Sequence, residues 1–312
     1  MGYFLLVLAV ILLIFIILGL YVTTRIVHNK LKKDFNILEY RFLQHEPEYE
    51  EEVMNWIKSI SLDYYNIVSP YFYKLNILEI KQNDKPEWIV LQHGVTMNHK
   101  FMLAYAYMYH QMGYNLILPD ARRHGKSGGK TSSYGYYEKY DMRACIDHLR
   151  QKFGKNINIG MHGVSMGASI VLSYAAGVRD DCSFYIADCP YSSFKRQLKD
   201  VVKRVLKLPD FIINIIVFFG ILFTRLLFGY DINKIDISAK IHRMENPALF
   251  TTCRGDKYID YQMTVELYEK CRSECKKLVL FENGGHTEAY PANRREYIEM
   301  VSGFLGEIGF GN

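Results

Sequence analysis

Hydrophobic and polar positions divide the chain into an apolar N-terminal run, a polar stretch and a long alternating part. The run from Tyr3 to Val22 contains no charged or strongly polar residue. Residues 34–66 are polar, with the acidic run EPEYEEE at 46–52, and predict a helical linker. Further along, short apolar segments alternate with helical patterns, which is typical of a mostly parallel sheet covered by helices on both faces.

The alternating part predicts strands and helices in turn. Strands are predicted at 71–80, 88–94, 115–120, 157–163, 184–190, 248–253 and 277–283. Helices are predicted at about 100–112, at about 135–152, from residue 166, at about 261–273 and at about 291–305. An insertion at 191–247 interrupts this order and also predicts helices. Its first half is basic, and its second half, FIINIIVFFGILFTRLLFGYD, is strongly apolar.

The composition limits the classes of function. With 312 residues, 49% of them hydrophobic, the chain can form one domain of about 250 residues with an appendage. The net charge of +5 is mild and no long Lys/Arg block is interleaved with aromatic residues, so nucleic-acid binding is not expected. The six cysteines are scattered without CxxC spacing, so no metal site is expected. Unpaired thiols suit a reducing compartment.

The apolar run predicts a membrane anchor, because roughly 20 such residues span the hydrocarbon layer as a helix. A cleaved signal peptide is the alternative, but no basic segment precedes the run and TTRIVHNKLKK follows it in place of a small-residue cleavage site. The positive charges Arg25, Lys30, Lys32 and Lys33 directly after the run predict that the C-terminal part is cytoplasmic. A second span within 191–247 is not favoured, since Asn214 and Arg225 interrupt the apolar sequence.

A candidate nucleophile lies in GMHGVSMGAS at 160–169, where a predicted strand meets a predicted helix. Ser165 has Gly163 and Gly167 two residues away on either side. In a tight strand-to-helix turn, side chains at the glycine positions would clash, and a strained serine backbone exposes the hydroxyl. The N–H of Met166 is then a candidate oxyanion donor. A chance GxSxG in a glycine-rich turn is the alternative.

A base and an acid are expected after later strands. His286 follows the strand at 277–283, and Asp256 follows the strand at 248–253, which gives the order Ser, Asp, His of α/β-hydrolases. Asp188, at the end of another strand, is the alternative acid, with a structural role as its other interpretation.

The loop after the strand at 88–94 is expected to supply the second oxyanion donor. His93-Gly94-Val95 fits this position, with the Val95 N–H as donor and His93 as a structural hydrogen-bonding residue. The stretch PDARRHGKSGGKTS at 119–132 resembles the end of a phosphate-binding loop. A nucleotide site is not expected there, because His124 stands where the motif requires its first glycine.

Together these motifs resemble the α/β-hydrolase superfamily, close to its bacterial serine-aminopeptidase-like (S33-type) and BEM46-like branch. The matching motifs are HGVTMN (93–98), D-x-R-x-x-G-x-S-x-G (120–129), GVSMG (163–167), ADCPYSSF (187–194), GDKYID (255–260) and GGH (284–286). The resemblance implies an eight-stranded, mostly parallel sheet, a serine nucleophile, and hydrolysis of ester, thioester or amide bonds without metal or organic cofactor. Ile259-Asp260 departs from the Val-Pro that the family often has.

The expected organisation is a transmembrane anchor (1–24), a helical linker (25–68), an α/β-hydrolase core (69–190 and 248–312) and a cap (191–247), whose position over the active site the resemblance implies. Six basic residues recur in the cap at helical spacing: Lys195, Arg196, Lys199, Lys203, Arg204 and Lys207. A basic helix beside an apolar one suits an anionic membrane surface.

The expected function is therefore that of a single-pass, membrane-anchored serine hydrolase acting on lipophilic acyl substrates, with membrane lipid as its other partner. Alternatives are an acyltransferase or an aminopeptidase with the same triad. A non-catalytic binding protein on a hydrolase fold would be indicated by a missing triad residue.

Overall fold

A computed structural model describes residues 1–28 and 46–311 of the chain. Its centre is an eight-stranded sheet with the order β1-β2-β4-β3-β5-β6-β7-β8. The first two pairings, β1 with β2 and β2 with β4, are antiparallel, and the pairings from β4 through β8 are parallel. The strands are β1 (Asp63–Val68), β2 (Lys74–Ile80), β3 (Glu87–Gln92), β4 (Asn115–Pro119), β5 (Asn158–Val164), β6 (Phe184–Asp188), β7 (Ala248–Cys253) and β8 (Lys276–Phe281). The predicted mostly parallel sheet is confirmed.

The central strands are buried on both faces, which explains their continuous apolar sequences. In β3, Trp88 and Val90 pack into one hydrophobic cluster, and Ile89 and Leu91 pack into the other. This alternation follows from the two-residue period of a strand. The helices are α1 (Gly2–Val27), α2 (Pro47–Ser59), α3 (Leu103–Gln111), α4 (Glu138–Phe153), α5 (Met166–Gly177), α6 (Phe194–Leu206), α7 (Asp210–Phe228), α8 (Tyr261–Lys270), α9 (Ala289–Ala292) and α10 (Arg294–Glu307).

The described part of 25–68, predicted as a helical linker, contributes a strand to the sheet and a helix to the core. It contains β1, an edge strand of sequence DYYNIV in which Ile67 alone is buried. It also contains α2, which packs Tyr49, Val53 and Trp56 into the same cluster as α3. An edge strand that exposes most of its positions has no continuous apolar sequence, so the strand pattern used for the core misses it. The middle of the predicted linker, with Lys30, Lys32 and Lys33, lies outside the described residues.

The insertion at 191–247 is helical, as predicted, and contains α6, α7 and two short 3₁₀ turns. The helix α6 is amphipathic. Its apolar side buries Phe194, Leu198 and Val202, and its basic residues Lys195 and Lys203 are exposed.

The second helix of the insertion, α7, packs along α1. Gly19 of α1 lies against Phe219, and the rings of His28 and Phe228 are 5.8 Å apart, so the two helices run in the same direction. The Thr23 hydroxyl donates to the carbonyl of Gly220 (3.0 Å). Among the described residues, α1 and α7 are both long and apolar enough to cross a membrane by length and composition alone, with mean hydropathies of 3.3 and 2.4.

Candidate active site

The turn between β5 and α5 has the geometry of a nucleophile elbow. Ser165 adopts φ 58° and ψ −120°, a conformation rare for a residue with a side chain. A Cβ atom on Gly163 would lie 2.4 Å from the carbonyl carbon of Gly167, and one on Gly167 would lie 2.1 Å from the carbonyl oxygen of Gln92. The chain can therefore make this turn only with glycine at both positions.

The three residues proposed as a triad meet at this elbow. The Oγ of Ser165 is 2.9 Å from Nε2 of His286, in the loop after β8. The Nδ1 of His286 is 2.7 Å from Oδ2 of Asp256, in the loop after β7. A carboxylate at Nδ1 fixes the proton on that nitrogen, so the unprotonated Nε2 faces the serine hydroxyl and can accept its proton.

The side chain of Asp256 is fully buried and is held by its own loop. Its second oxygen, Oδ1, accepts from the N–H groups of Tyr258 (2.8 Å) and Ile259 (2.9 Å). Asp260 accepts from the N–H of Gln262 (3.0 Å) and caps α8. The Ile259-Asp260 departure from the family pattern thus leaves the acid fixed, because Ile259 binds it through the backbone and Asp260 has a separate capping role.

Asp188, the alternative acid, belongs to a different network. Its Oδ2 accepts from the hydroxyls of Tyr297 (3.1 Å) and Tyr105 (3.5 Å). Burial raises the pKa of this carboxyl to about 7. Its backbone carbonyl accepts from the N–H of Ser165 (2.7 Å). The structure therefore places Asp256 beside the imidazole and Asp188 beneath the nucleophile.

The candidate oxyanion donors flank the serine. A Cβ atom on Gly94 would lie 3.3 Å from Cβ of Ser165, so the loop with Val95 passes directly beside the nucleophile. Met166 is the first residue of α5, and its N–H belongs to the helix turn that has no intrahelical acceptor. The position suits a developing negative charge on an acyl oxygen.

Two buried histidines hold the Val95 loop. The Nε2 of His93 accepts from the N–H of Ala121 (2.9 Å), so its Nδ1 carries the proton and donates to the carbonyl of Gly94 (2.7 Å). The Nε2 of His124 accepts from the N–H of Thr96 (3.2 Å). Burial lowers the pKa of both rings, that of His124 to about 4, so both stay neutral acceptors.

His124 and Asp120 are positioning residues that the sequence analysis did not identify. Asp120 accepts from the N–H of His99 (2.8 Å) and from that of Lys126 (2.9 Å), which joins the Val95 loop to the loop after β4. Both residues lie in or between the fixed positions of the motif at 120–129, which indicates the family but not their roles. Against a phosphate-binding loop, His124 is only a mismatch.

Two residues of the triad and a neighbouring cysteine have the spacing of metal ligands. The ligand atoms of Cys189, Asp256 and His286 lie within 4.8 Å of one another. Burial raises the pKa of the Cys189 thiol well above its usual value, whereas a metal binds the thiolate. The imidazole and the carboxylate already bind each other, so the group fits a triad better than a metal ion.

Comparisons with known proteins identify the family of this chain. Residues 84–218 match the family model described as serine aminopeptidase, S33. The chain is 35% identical to the uncharacterized protein YqkD of Bacillus subtilis, over 94% of this chain and 93% of that protein. It is 25% identical to the uncharacterized membrane protein YNL320W of Saccharomyces cerevisiae, over 67% of each.

Solved structures with the same fold include two esterases. The Pyrococcus furiosus esterase Pf2001 superposes with a TM-score of 0.66 at 22% identity, covering 82% of this chain and 93% of that one. The Exiguobacterium antarcticum esterase EaEST superposes with a TM-score of 0.55 at 16% identity, covering 77% and 98%.

Proposed function

Because this chain belongs to the α/β-hydrolase superfamily, in its S33 type, we propose that it is a membrane-anchored serine hydrolase that cleaves carboxylic ester or thioester bonds. The observation that carries the proposal is the continuous hydrogen-bonded line from Ser165 Oγ through His286 to Asp256, with distances of 2.9 and 2.7 Å, at a strained elbow. Esterases among the structural neighbours support ester substrates.

The mechanism follows from these contacts. Ser165 Oγ attacks the acyl carbon while its proton moves to Nε2 of His286, and Asp256 stabilises the resulting imidazolium. The N–H groups of Val95 and Met166 bind the oxyanion of the tetrahedral intermediate. His286 then gives the proton to the leaving group. Water, deprotonated by the same nitrogen, releases the acid from the acyl-enzyme.

The membrane location is a further part of the proposal. Large apolar side chains of α1 from Tyr3 to Ile14 are exposed, which suits lipid rather than water. Arg25 near its end supports a cytoplasmic catalytic domain. A C-terminal fusion to green fluorescent protein should fluoresce, and a fusion to alkaline phosphatase should be inactive. The opposite pair of results would place the domain outside.

A fluorophosphonate probe tests the catalytic claim on the full-length protein in membranes. Labelling is expected for the wild type, and it should disappear in Ser165→Ala. Ser302→Ala is the matched control, because Ser302 is an exposed serine of α10 that donates only to the carbonyl of Glu299. An unlabelled wild-type protein would contradict the proposal and favour a non-catalytic binding protein.

Aminopeptidase activity is the second candidate, since the description of the matching family model favours it. Comparing the hydrolysis of p-nitrophenyl butyrate with that of an aminoacyl p-nitroanilide separates the two. We expect the ester to be hydrolysed at least tenfold faster. Added alcohol acceptors test for acyl transfer, which would yield new esters in place of free acid.

A further inference from the structure

A cavity of about 460 Å³ lies between α1 and α6, beside the triad. This volume falls within the roughly 300–1,000 Å³ of small-molecule sites. Its walls are mostly apolar. Leu18, Val22 and Ile26 contribute from α1, and Leu198, Val202 and Val205 contribute from α6. Among the residues that line it, no side chain is acidic and Arg25 is the one strong cation. We call this cavity the anchor groove.

The anchor groove adjoins the catalytic residues at two points. Thr96, which follows the candidate oxyanion donor Val95, lines it, and so does Tyr258. The ring centroid of Tyr258 is 4.8 Å from that of His286, and the N–H of Tyr258 donates to Asp256. An acyl carbon at Ser165 can therefore extend its chain into the groove.

Both walls of the groove are fixed to the catalytic domain. The last carbonyls of α1, those of Ile26 and Val27, accept from the Tyr134 hydroxyl (3.0 Å) and the Ser132 N–H (3.4 Å). On the other wall, the side chains of Gln197 and Arg204 donate to the carbonyl of Tyr258 (2.8 and 3.0 Å). The anchor is thus docked on the active site at its C-terminal end.

The length of α1 brings the groove to the lipid surface. The part of α1 whose side chains are all exposed ends at Ile14. At 1.5 Å per residue this part is about 21 Å long, whereas the hydrocarbon layer is about 30 Å thick. The apolar run from Tyr3 to Val22 has the length of roughly 20 residues that spans this layer, and it includes Leu18 and Val22, which line the groove. Val205, on the facing wall, is 70% exposed.

From these observations we propose that the anchor helix itself forms one wall of the acyl-binding site, and that the occupant is the long acyl chain of a membrane lipid, which enters laterally from the bilayer. This inference rests on the proposed serine hydrolase activity and adds to it the substrate class and the specificity-determining residues Leu18, Val22 and Ile26.

Filling the groove tests the proposal in full-length protein reconstituted in phospholipid nanodiscs. We compare Val22→Trp and Leu198→Trp with Ile11→Trp, a substitution on the same anchor at an exposed position that does not line the groove. For p-nitrophenyl palmitate, kcat/KM is expected to fall at least tenfold in the two groove variants. For p-nitrophenyl butyrate we expect kcat/KM to fall by a clearly smaller factor than for the palmitate ester, and Ile11→Trp should change neither value. Equal losses on both esters, or no loss on palmitate, would overturn the inference.

A second measurement needs no substitution. A fluorophosphonate with a sixteen-carbon chain and a terminal diazirine is attached to Ser165 and then photolysed. Cross-links mapped by mass spectrometry are expected in α1 at 18–26 or in the facing residues of α6. Cross-links elsewhere would overturn the inference while leaving the nucleophile established by the labelling itself. Absence of both labelling and butyrate hydrolysis in the wild type would refute the serine hydrolase activity and the inference with it.

Discussion

At the scale of single residues, the conformation of Ser165 depends on its neighbours. Its N–H donates to the carbonyl of Asp188 (2.7 Å), and its own carbonyl accepts from the N–H of Ser169 (3.1 Å) in the first turn of α5. A positive φ costs of order 1–3 kcal/mol at such a residue. The surrounding structure must offset this cost, so the strain persists only while β3, β5 and α5 keep their spacing.

A methyl group at the second elbow glycine tests this dependence. In Gly167→Ala the new Cβ would lie 2.1 Å from the carbonyl oxygen of Gln92, so β3 and α5 must separate. We expect a loss of about 1–3 kcal/mol or more in the free energy of unfolding, together with loss of fluorophosphonate labelling. Gly303→Ala is the control, because a Cβ there contacts nothing within 4 Å. It should gain up to about 1 kcal/mol, as expected for a helix interior. Denaturant unfolding of the detergent-solubilised protein gives both values.

His124 acts at the same scale, through the backbone of Thr96. Thr96 has φ 66°, an unfavourable value for a β-branched residue, and its N–H is bound by the His124 ring. In His124→Phe this acceptor is lost. We expect kcat for p-nitrophenyl butyrate to fall about 10- to 100-fold, with KM nearly unchanged. This loss does not exceed the loss of kcat that follows when an oxyanion donor is removed outright. His124→Gln keeps an acceptor and should recover part of the loss. Equal kcat values in the two variants would show that hydrogen bonding by His124 does not position the loop.

At the scale of elements, the sequence predicted the core strands and the residues that follow them, because both depend on short stretches of sequence. The strands before Ser165 and Asp256 are buried apolar runs, and the strand before His286 is a partly buried edge strand with the apolar sequence LVLF. These strands and the residues at their ends could therefore be located from pattern alone. The strand β1 was missed because its exposed edge position gives no such run. The network of His93, His124 and Asp120 joins loops that are distant in the chain, and residue spacing carries no information about that contact.

The pairing of α1 with α7 was also beyond the sequence. The sequence predicts one span and a cap that contains the apolar half of the insertion. In the structure, small residues let the two helices approach closely, and a close approach of this kind is a common device of helix pairs in membranes. Glycines within two apolar runs do not reveal that the runs face each other.

Enlarging a residue at this crossing tests the pairing. In Gly19→Leu the Cβ would lie 2.4 Å from Cβ of Phe219, which forces the helices apart. We expect a lower unfolding temperature in nanodiscs and a cost of about 1–3 kcal/mol. Thr23→Val, which removes the hydrogen bond to Gly220, should cost about 0.6 kcal/mol. Gly2→Leu is the control in the same helix, since nothing lies within 4 Å of its Cβ position. If Gly19→Leu unfolds at the same temperature as this control, α1 and α7 do not pack in the membrane.

At the scale of the whole molecule, burial on folding shifts the pKa values of several titratable groups towards their neutral forms. His162 accepts from the Tyr109 hydroxyl (2.9 Å) and contacts the Tyr297 hydroxyl (3.1 Å), and burial lowers its pKa to about 3. Burial raises the pKa of Asp141 to about 7, as it does for Asp188. The buried histidines and the buried carboxyls have opposite effects on how stability depends on pH. Falling pH lowers the stability contributed by the histidines and raises the stability contributed by the carboxyls. The pH dependence of the unfolding free energy therefore does not isolate any one group. The difference in that free energy between the wild type and a single-substitution variant does.

Asp188→Asn provides that difference. The pKa of Asp188 is about 7 in the folded chain and about 3.9 when unfolded, so between these values the folded protein holds a proton that the unfolded chain releases. Its contribution to stability is complete below pH about 3.9 and is lost as the pH rises to about 7. Relative to Asp188→Asn, the wild type should lose about 2–3 kcal/mol between pH 5 and pH 7, at up to about 1.4 kcal/mol per pH unit. Asp84→Asn is the control, because Asp84 is exposed and Lys81 lowers the pKa of its carboxyl, which stays ionised throughout. A pH-independent difference between wild type and Asp188→Asn would mean that Asp188 is already ionised beneath the nucleophile, and the Tyr297 and Tyr105 hydroxyls would then be stabilising a buried charge.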